Sequence, residues 1–398
     1  MRLPLRADCG WAKGDSGANA LGGMYKIALR MLLRDRGKYL ALVCGLSFAT
    51  LLIAQQGSIF LGLVLRSTGV LQNVGQPDLW VVDPSTRYIL ETRPVGEQFV
   101  GRVRSVPGVA WAEPMFSNYA NVEFADGTFK RVQLIGIDRT TLIGQPPEMV
   151  EGSLEDLRAP DTVLVEESSR PKLNNAKIGD VLRLNDKRAV IVGFCRAKLG
   201  FESNAIVYTT FDNAVRFTPV GRERVTFILV GVKPDADRTA VAADIGKFTG
   251  LGAFTPEEMS RRTIGFILYE TGIGINFGIT VLLGFVVGLA VTAAIFYQFT
   301  LENLRHFAVL KAMGTRNSVL VRMVLLQAGV VGMIGFGIGC GPAGIFTILG
   351  RKPGAELAPY FPWQLLALTL VGMMICIGLG SLLSLRRVIT LEPAVVFK

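Results

Sequence analysis

Four long apolar runs dominate the chain, Tyr39–Leu65, Thr271–Gln298, Met323–Leu349 and Trp363–Leu385, and none contains Asp, Glu, Lys or Arg. About 20 apolar residues cross a hydrocarbon core as a helix, and a charge at mid-span costs roughly 2.5–3.5 kcal/mol on insertion scales. Each run therefore predicts a transmembrane helix. Between the first and second runs the texture changes to short alternating apolar stretches bounded by turn residues, from about Val70 to Gly252. That pattern predicts strands at Asp78–Val82, Asn121–Phe124, Lys130–Ile137, Thr162–Val165, Val181–Leu184, Ala189–Phe194, Ala205–Tyr208 and Val225–Val232. Ala125-Asp126-Gly127 and Asn185-Asp186 mark turns, and helices are expected at Glu97–Ser105 and Ala236–Phe248. The expected fold is an α-helical membrane protein with four transmembrane helices and an inserted α+β extracytoplasmic domain, at about residues 66–254, large enough to bury its own core.

The inserted domain ends at a strong helix start. In Thr255-Pro256-Glu257-Glu258, Thr255 is the N-cap, Pro256 takes the first helical position and Glu258 closes a capping box. The helical pattern then continues through 255–270 straight into the second span. One continuous stalk helix leaving the membrane is the expectation; a separate surface helix with a kink near 272–274 is the alternative.

Composition agrees with a lipid-embedded chain: 50% of residues are hydrophobic and the mean hydropathy is +0.41. The net charge of +10 would suit nucleic acid only as a folded basic patch, whereas here the cations flank the apolar runs. Lys26, Arg30, Arg34, Arg36 and Lys38 precede the first span; Arg305, Lys311, Arg316 and Arg322 lie between the second and third; Arg386, Arg387 and Lys398 follow the fourth. Short segments rich in Lys and Arg stay in the cytoplasm. Both termini (1–38 and 386–398) and the 299–322 connection are therefore expected inside, with the large domain and the Pro- and Gly-rich 350–362 loop outside. Residues 1–23 lack the apolar core of a signal peptide and read as a disordered extension or a misassigned start.

Within the spans, Gly274/Gly278, Gly284/Gly288 and Gly337/Gly341 have the GxxxG spacing that permits close helix approach in a bundle or a dimer. Gln55, Gln56, Asn276 and Gln327 stand out as polar positions and suit interhelical hydrogen bonds better than substrate contacts. With no intramembrane carboxylate, an ion-coupled transporter is disfavoured. The five cysteines, Cys9, Cys44, Cys195, Cys340 and Cys376, form no metal-ligand spacing. The single histidine, His306, lies in the cytoplasmic connection, so no Ser–His or Cys–His constellation is available outside. There is also no GxxxxGK[ST] loop for a nucleotide.

The connection Thr300–Val321 is amphipathic: Glu302, Arg305 and His306 share one face, and Leu304, Phe307 and Ala308 another. Gly314 is a natural helix stop, after which Thr315 or Ser318 caps the next helix. A short helix along the membrane surface is the expectation, suited to docking a partner.

These residues resemble a known family. Glu302 through Leu310-Lys311-Ala312-Met313-Gly314 to Gln327, followed by the Gly-rich third span, looks like the FtsX-type permease domain (here 271–398). Ile27–Arg36 looks like that family's entry helix, and Arg386-Arg387 with Leu391-Glu392-Pro393-Ala394 like its basic tail. One span, a large exported domain and three further spans are similar to the MacB, LolC/LolE and DevC permeases, and Ile178-Gly179-Asp180 with Val190–Phe194 resembles their periplasmic domain.

The resemblance implies a bacterial inner-membrane ABC permease acting as a dimer with a second or homologous copy. ATP and magnesium would bind a separate ATPase subunit, and the permease itself would hold no cofactor. It implies coupling through Glu302, Arg305, His306, Lys311, Gly314 and Arg316, with a HlyD-type membrane-fusion adaptor and an outer-membrane channel as further partners. An FtsX-like regulator of a periplasmic cell-wall hydrolase is the alternative. A membrane-anchored external enzyme fits less well, because catalytic constellations are missing.

Overall fold

The computed structural model describes residues 36–91, 93–218, 224–350, 355 and 357–389. In chain order its elements are α1 (Arg36–Ser67), α2 (Gly69–Asn73), β1 (Leu79–Val82), β2 (Val95–Gly96), α3 (Gln98–Arg104), β3 (Val109–Glu123), β4 (Phe129–Ile137), β5 (Glu148–Glu151), β6 (Thr162–Glu166) and β7 (Val181–Leu184). There follow β8 (Lys187–Arg196), β9 (Ala205–Thr210), α4 (Phe211–Phe217), β10 (Arg224–Val225), β11 (Phe227–Val232), α5 (Arg238–Thr249), β12 (Gly252–Phe254) and α6 (Pro256–Tyr269). The last four helices are α7 (Ile273–Glu302), α8 (Leu304–Ala312), α9 (Asn317–Gly350) and α10 (Trp363–Ile389). The expectations for 1–35 and 390–398 lie outside the described residues.

The chain divides into two compact units, one of Ile59–Phe277 with Thr347–Tyr360, the other of the described parts of Met1–Ser58, Gly278–Phe346 and Phe361–Lys398. In the first, a ten-stranded sheet runs β12-β1-β11-β3-β4-β9-β6-β8-β5, with β7 pairing β3 and β8. The β4/β9 and β6/β8 pairs are parallel and the others antiparallel. Both faces are covered, which is why a strand such as β6, TVLVE, is buried at every position. On one face Val103, Phe116, Val132, Val207, Phe217 and Ile245 pack with α3, α4 and α5; on the other Trp80, Met115, Ile135, Tyr208 and Phe227 pack with Met259 of α6. The β7–β8 hairpin turns through Asn185 and Asp186 at φ 43° and 63°, the left-handed pair of a tight two-residue turn.

The strand expected at Asn121–Phe124 is only the end of the 15-residue β3. Its first half carries Pro114 and Glu113, which break the alternation, yet pairs with Ile228 and Leu229 of β11.

In the second unit all four long helices contribute to one core: Leu42, Val43 and Leu46 of α1, Phe296 and Phe299 of α7, Ala328 and Val331 of α9, Met373 and Ile377 of α10. By length and composition these four helices can cross a membrane. In lipid, close van der Waals approach replaces hydrophobic burial as the force between helices, so small residues decide the contacts. Gly284 lies against Leu52 and Ile53, and Gly288 against Ala49. A Cβ on Gly339 would stand 2.5 Å from the Ser47 carbonyl oxygen, and one on Gly335 2.9 Å from Leu46 Cβ.

Gly337 and Gly341, by contrast, are open: among the described residues nothing comes within 4 Å of where a Cβ would stand, so the intrachain seam of α9 is Gly335/Gly339 and not Gly337/Gly341. Gly278 is likewise open, and Gly274 approaches the Leu268 carbonyl of α6 rather than another membrane-length helix. Two buried hydroxyls are satisfied locally: Ser47 Oγ donates to the Val43 carbonyl and Thr369 Oγ1 to that of Leu365.

Candidate functional site

Two places concentrate the singled-out residues. The first is α8. It is shorter than the expected helix, because Asn303 leaves helical geometry (φ −93°, ψ 8°) and divides α7 from α8. Glu302 therefore belongs to the last turn of α7, where it accepts a hydrogen bond from Gln298 Nε2 at 3.4 Å, and does not share the α8 face with Arg305 and His306. The apolar side of α8 is anchored: Phe307 and Ala308 are fully buried against Leu320, Met323 and Val324 of α9. Its C-terminus closes as a Schellman motif. Gly314 (φ +88°) donates to the Lys311 carbonyl and Thr315 N–H to that of Leu310. Only glycine takes that φ without strain, which fixes the entry into α9.

On the opposite side Arg305, His306 and Arg316 are exposed and Lys311 is half-buried. Two apolar residues that sequence reasoning passed over join them: Val309 is 40% exposed and Met313 70%. Arg305, Val309 and Met313 fall at i, i+4 and i+8, a spacing that marks one helix stripe and was available in the sequence. The stripe combines a cation with a protruding, adaptable thioether, a surface suited to an acidic-rimmed apolar cleft.

The second place is α6. Thr255 Oγ1 accepts from Glu258 N–H at 3.2 Å, the Thr255 N–H donates to Glu258 Oε2 at 3.0 Å, and Pro256 begins the helix. Met259, Thr263 and Ile267, spaced by four, form its buried stripe. The 83–91 segment straps the helix down. Ile89 N–H donates to Thr263 Oγ1 at 3.1 Å, the Tyr88 ring stacks on Phe266 at 4.3 Å, and Arg87 lies over the same ring while pairing Glu270 at 3.1 Å.

The continuous stalk is not what forms. After Tyr269, Gly272 adopts φ +72° and α7 starts afresh at Ile273. Gly274 then passes so close to the Leu268 carbonyl that a Cβ would lie 2.4 Å from its oxygen. Two glycines thus build the break near 272–274 that the sequence offered as the alternative.

Comparisons with known proteins match both parts of the chain. The family model for the MacB-like periplasmic core domain matches residues 45–248, and that for the FtsX-like permease C-terminal region matches 278–393. An uncharacterized ABC transporter permease of Mycobacterium tuberculosis (strain ATCC 25618 / H37Rv) is 24% identical over 380 residues, covering 92% of this chain and 96% of its own. A second from the same strain is 24% identical over 315 residues, covering 75% and 77%. Among solved structures, the periplasmic region of MacB from Actinobacillus actinomycetemcomitans aligns with a TM-score of 0.39 and 12% identity, over 48% of this chain and 94% of that one.

Proposed function

We propose that this chain, which belongs to the FtsX-like ABC transporter permeases carrying a MacB-like periplasmic core domain, is the membrane subunit of an export or extrusion complex driven by a separate ATPase. The observation that carries the reading is α8: an apolar side locked into α9 by Phe307 and Ala308, and an outward stripe of Arg305, Val309 and Met313. Such a helix passes a push on its exposed side directly into the helix beneath it, because packed side chains shift as a body. With no P-loop in the sequence, ATP and magnesium belong to the partner.

The reading places α8 and both termini in the cytoplasm of a bacterial inner membrane and the large domain outside. A second permease copy meets the open Gly337/Gly341 face of α9. Substrate is moved on the outer side, through an adaptor and an outer-membrane channel, by motion of the domain. The strapped α6 supports this last step, since a helix held by a stack, a cation–π contact and an ion pair moves with the domain that holds it.

The test is co-expression with a P-loop ABC ATPase from the same organism. The wild-type pair should co-purify and show permease-stimulated hydrolysis. Arg305→Glu combined with Met313→Ala should cut stimulation about tenfold or more, the scale of losing one interface hot spot. Unchanged association and turnover in that variant would refute the assignment of α8.

A further inference from the structure

A groove of about 650 Å³ opens at the β6–β8–β5 end of the extracytoplasmic sheet, within the size range of ligand sites. Pro147, Pro171 and Ala197 give it apolar walls, and charged side chains surround them. The two cations of its lining are engaged. Arg196 bridges Glu148 at 2.9 Å and Glu167 at 3.1 Å, and Lys198 Nζ donates to Gln72 Oε1 at 2.7 Å.

Glu166 is different. Only 3% exposed, it also lines the groove, and among the described residues no Lys or Arg pairs with it. Its carboxylate accepts from Ser168 N–H at 2.9 Å, Ser168 Oγ at 2.7 Å and Ser169 Oγ at 2.6 Å, all neutral donors. Those bonds cap the short 3₁₀ helix Glu167–Leu173, and among the described residues no basic side chain joins them.

We propose that this groove binds an amphiphilic organic cation, its ammonium on Glu166 and its apolar body along Pro147, Pro171 and Ala197. An anion is disfavoured because Arg196 and Lys198 are already held and the lining has three carboxylates against those two cations. A hard metal ion is disfavoured because, among the described residues, no three carboxylate, histidine or cysteine side chains converge as the ligand set such an ion takes. As a substrate site the groove deepens the export reading and rests on it; the binding itself does not.

The experiment therefore uses the full-length chain in lipid nanodiscs with no ATPase present. It is titrated calorimetrically with hexylammonium, and with hexanol and hexanoate as matched neutral and anionic probes, empty nanodiscs being subtracted. Saturable hexylammonium binding at least about tenfold tighter than hexanol is expected, and Glu166→Gln should erase that preference. Arg196→Ala, which frees Glu148 and Glu167, should preserve or tighten it.

Equal affinity for hexanol, or an unchanged preference in a folded Glu166→Gln chain, would overturn the proposal. In the wild-type protein a photoreactive alkylammonium should label peptides within residues 147–198. Labelling confined to other peptides would overturn it without reliance on any variant. Failure of either arm leaves the ATPase test untouched, and failure of the ATPase test leaves this binding intact.

Discussion

Gly339→Leu should destabilise the four-helix unit by about 3 kcal/mol, the upper end of overpacking costs, whereas Gly337→Leu should leave the isolated subunit's stability nearly unchanged. The two positions lie two residues apart on one helix and differ only in what they face. A Cβ at 339 would stand 2.5 Å from the Ser47 carbonyl oxygen and 2.7 Å from Thr50 Cβ, atoms of α1 that move only if the helix moves. At 337 there is nothing within 4 Å among the described residues. Thermal unfolding of both variants in nanodiscs, with size measured in parallel, checks this. A large drop for 339 and a change of assembly size alone for 337 is the expected pair of results; equal melting shifts would remove the assigned seam.

Phe307→Ala should be the most damaging single change in α8. Emptying a fully buried phenylalanine site costs about 3–5 kcal/mol, and here the loss falls on the contact with Leu320, Met323 and Val324. The main helix core does not include Phe307, so the four spans should stay assembled while α8 loosens from α9. ATPase stimulation should fall by more than about tenfold with the partner still bound weakly through Arg305 and Arg316, since about 3 kcal/mol of lost packing exceeds the 1.4 kcal/mol that makes a factor of ten. Measuring turnover beside hydrogen exchange of residues 304–316 separates the two effects. Full stimulation with a loosened helix would show that the push does not pass through this contact.

The apolar runs revealed the four spans because a stretch of about 20 or more residues without charge has few other physical uses. The capping box at Thr255–Glu258 was equally legible, since it needs four residues at fixed offsets and nothing from elsewhere. What was hidden depended on partners far away in sequence. Which of two overlapping glycine pairs in α9 forms the seam turns on where α1 lies, so Gly335/Gly339 and Gly337/Gly341 look alike until the bundle exists.

The first half of β3 was concealed by Pro114, tolerated because β11 pairs around it. The break at Gly272 was legible only as an alternative, because glycine is also common inside membrane helices, and the left-handed φ decides between the two readings. On α8 the buried pair Phe307 and Ala308 was apparent from helical spacing, but Met313 read as part of a motif and not as an exposed wedge. The groove around Glu166 had no sequence signature, because Pro147, Pro171 and Arg196 come from three separate segments.

The proposed relay from α8 to the extracytoplasmic domain requires the two to lie on opposite sides of one bilayer. Compartment-specific reporters placed in the exposed β3–β4 turn at Asp126 and just after α8 at Thr315 measure this directly. The account predicts activity of an export-dependent reporter at Asp126 and of a cytoplasm-dependent reporter at Thr315. Finding both positions in the same compartment would contradict it.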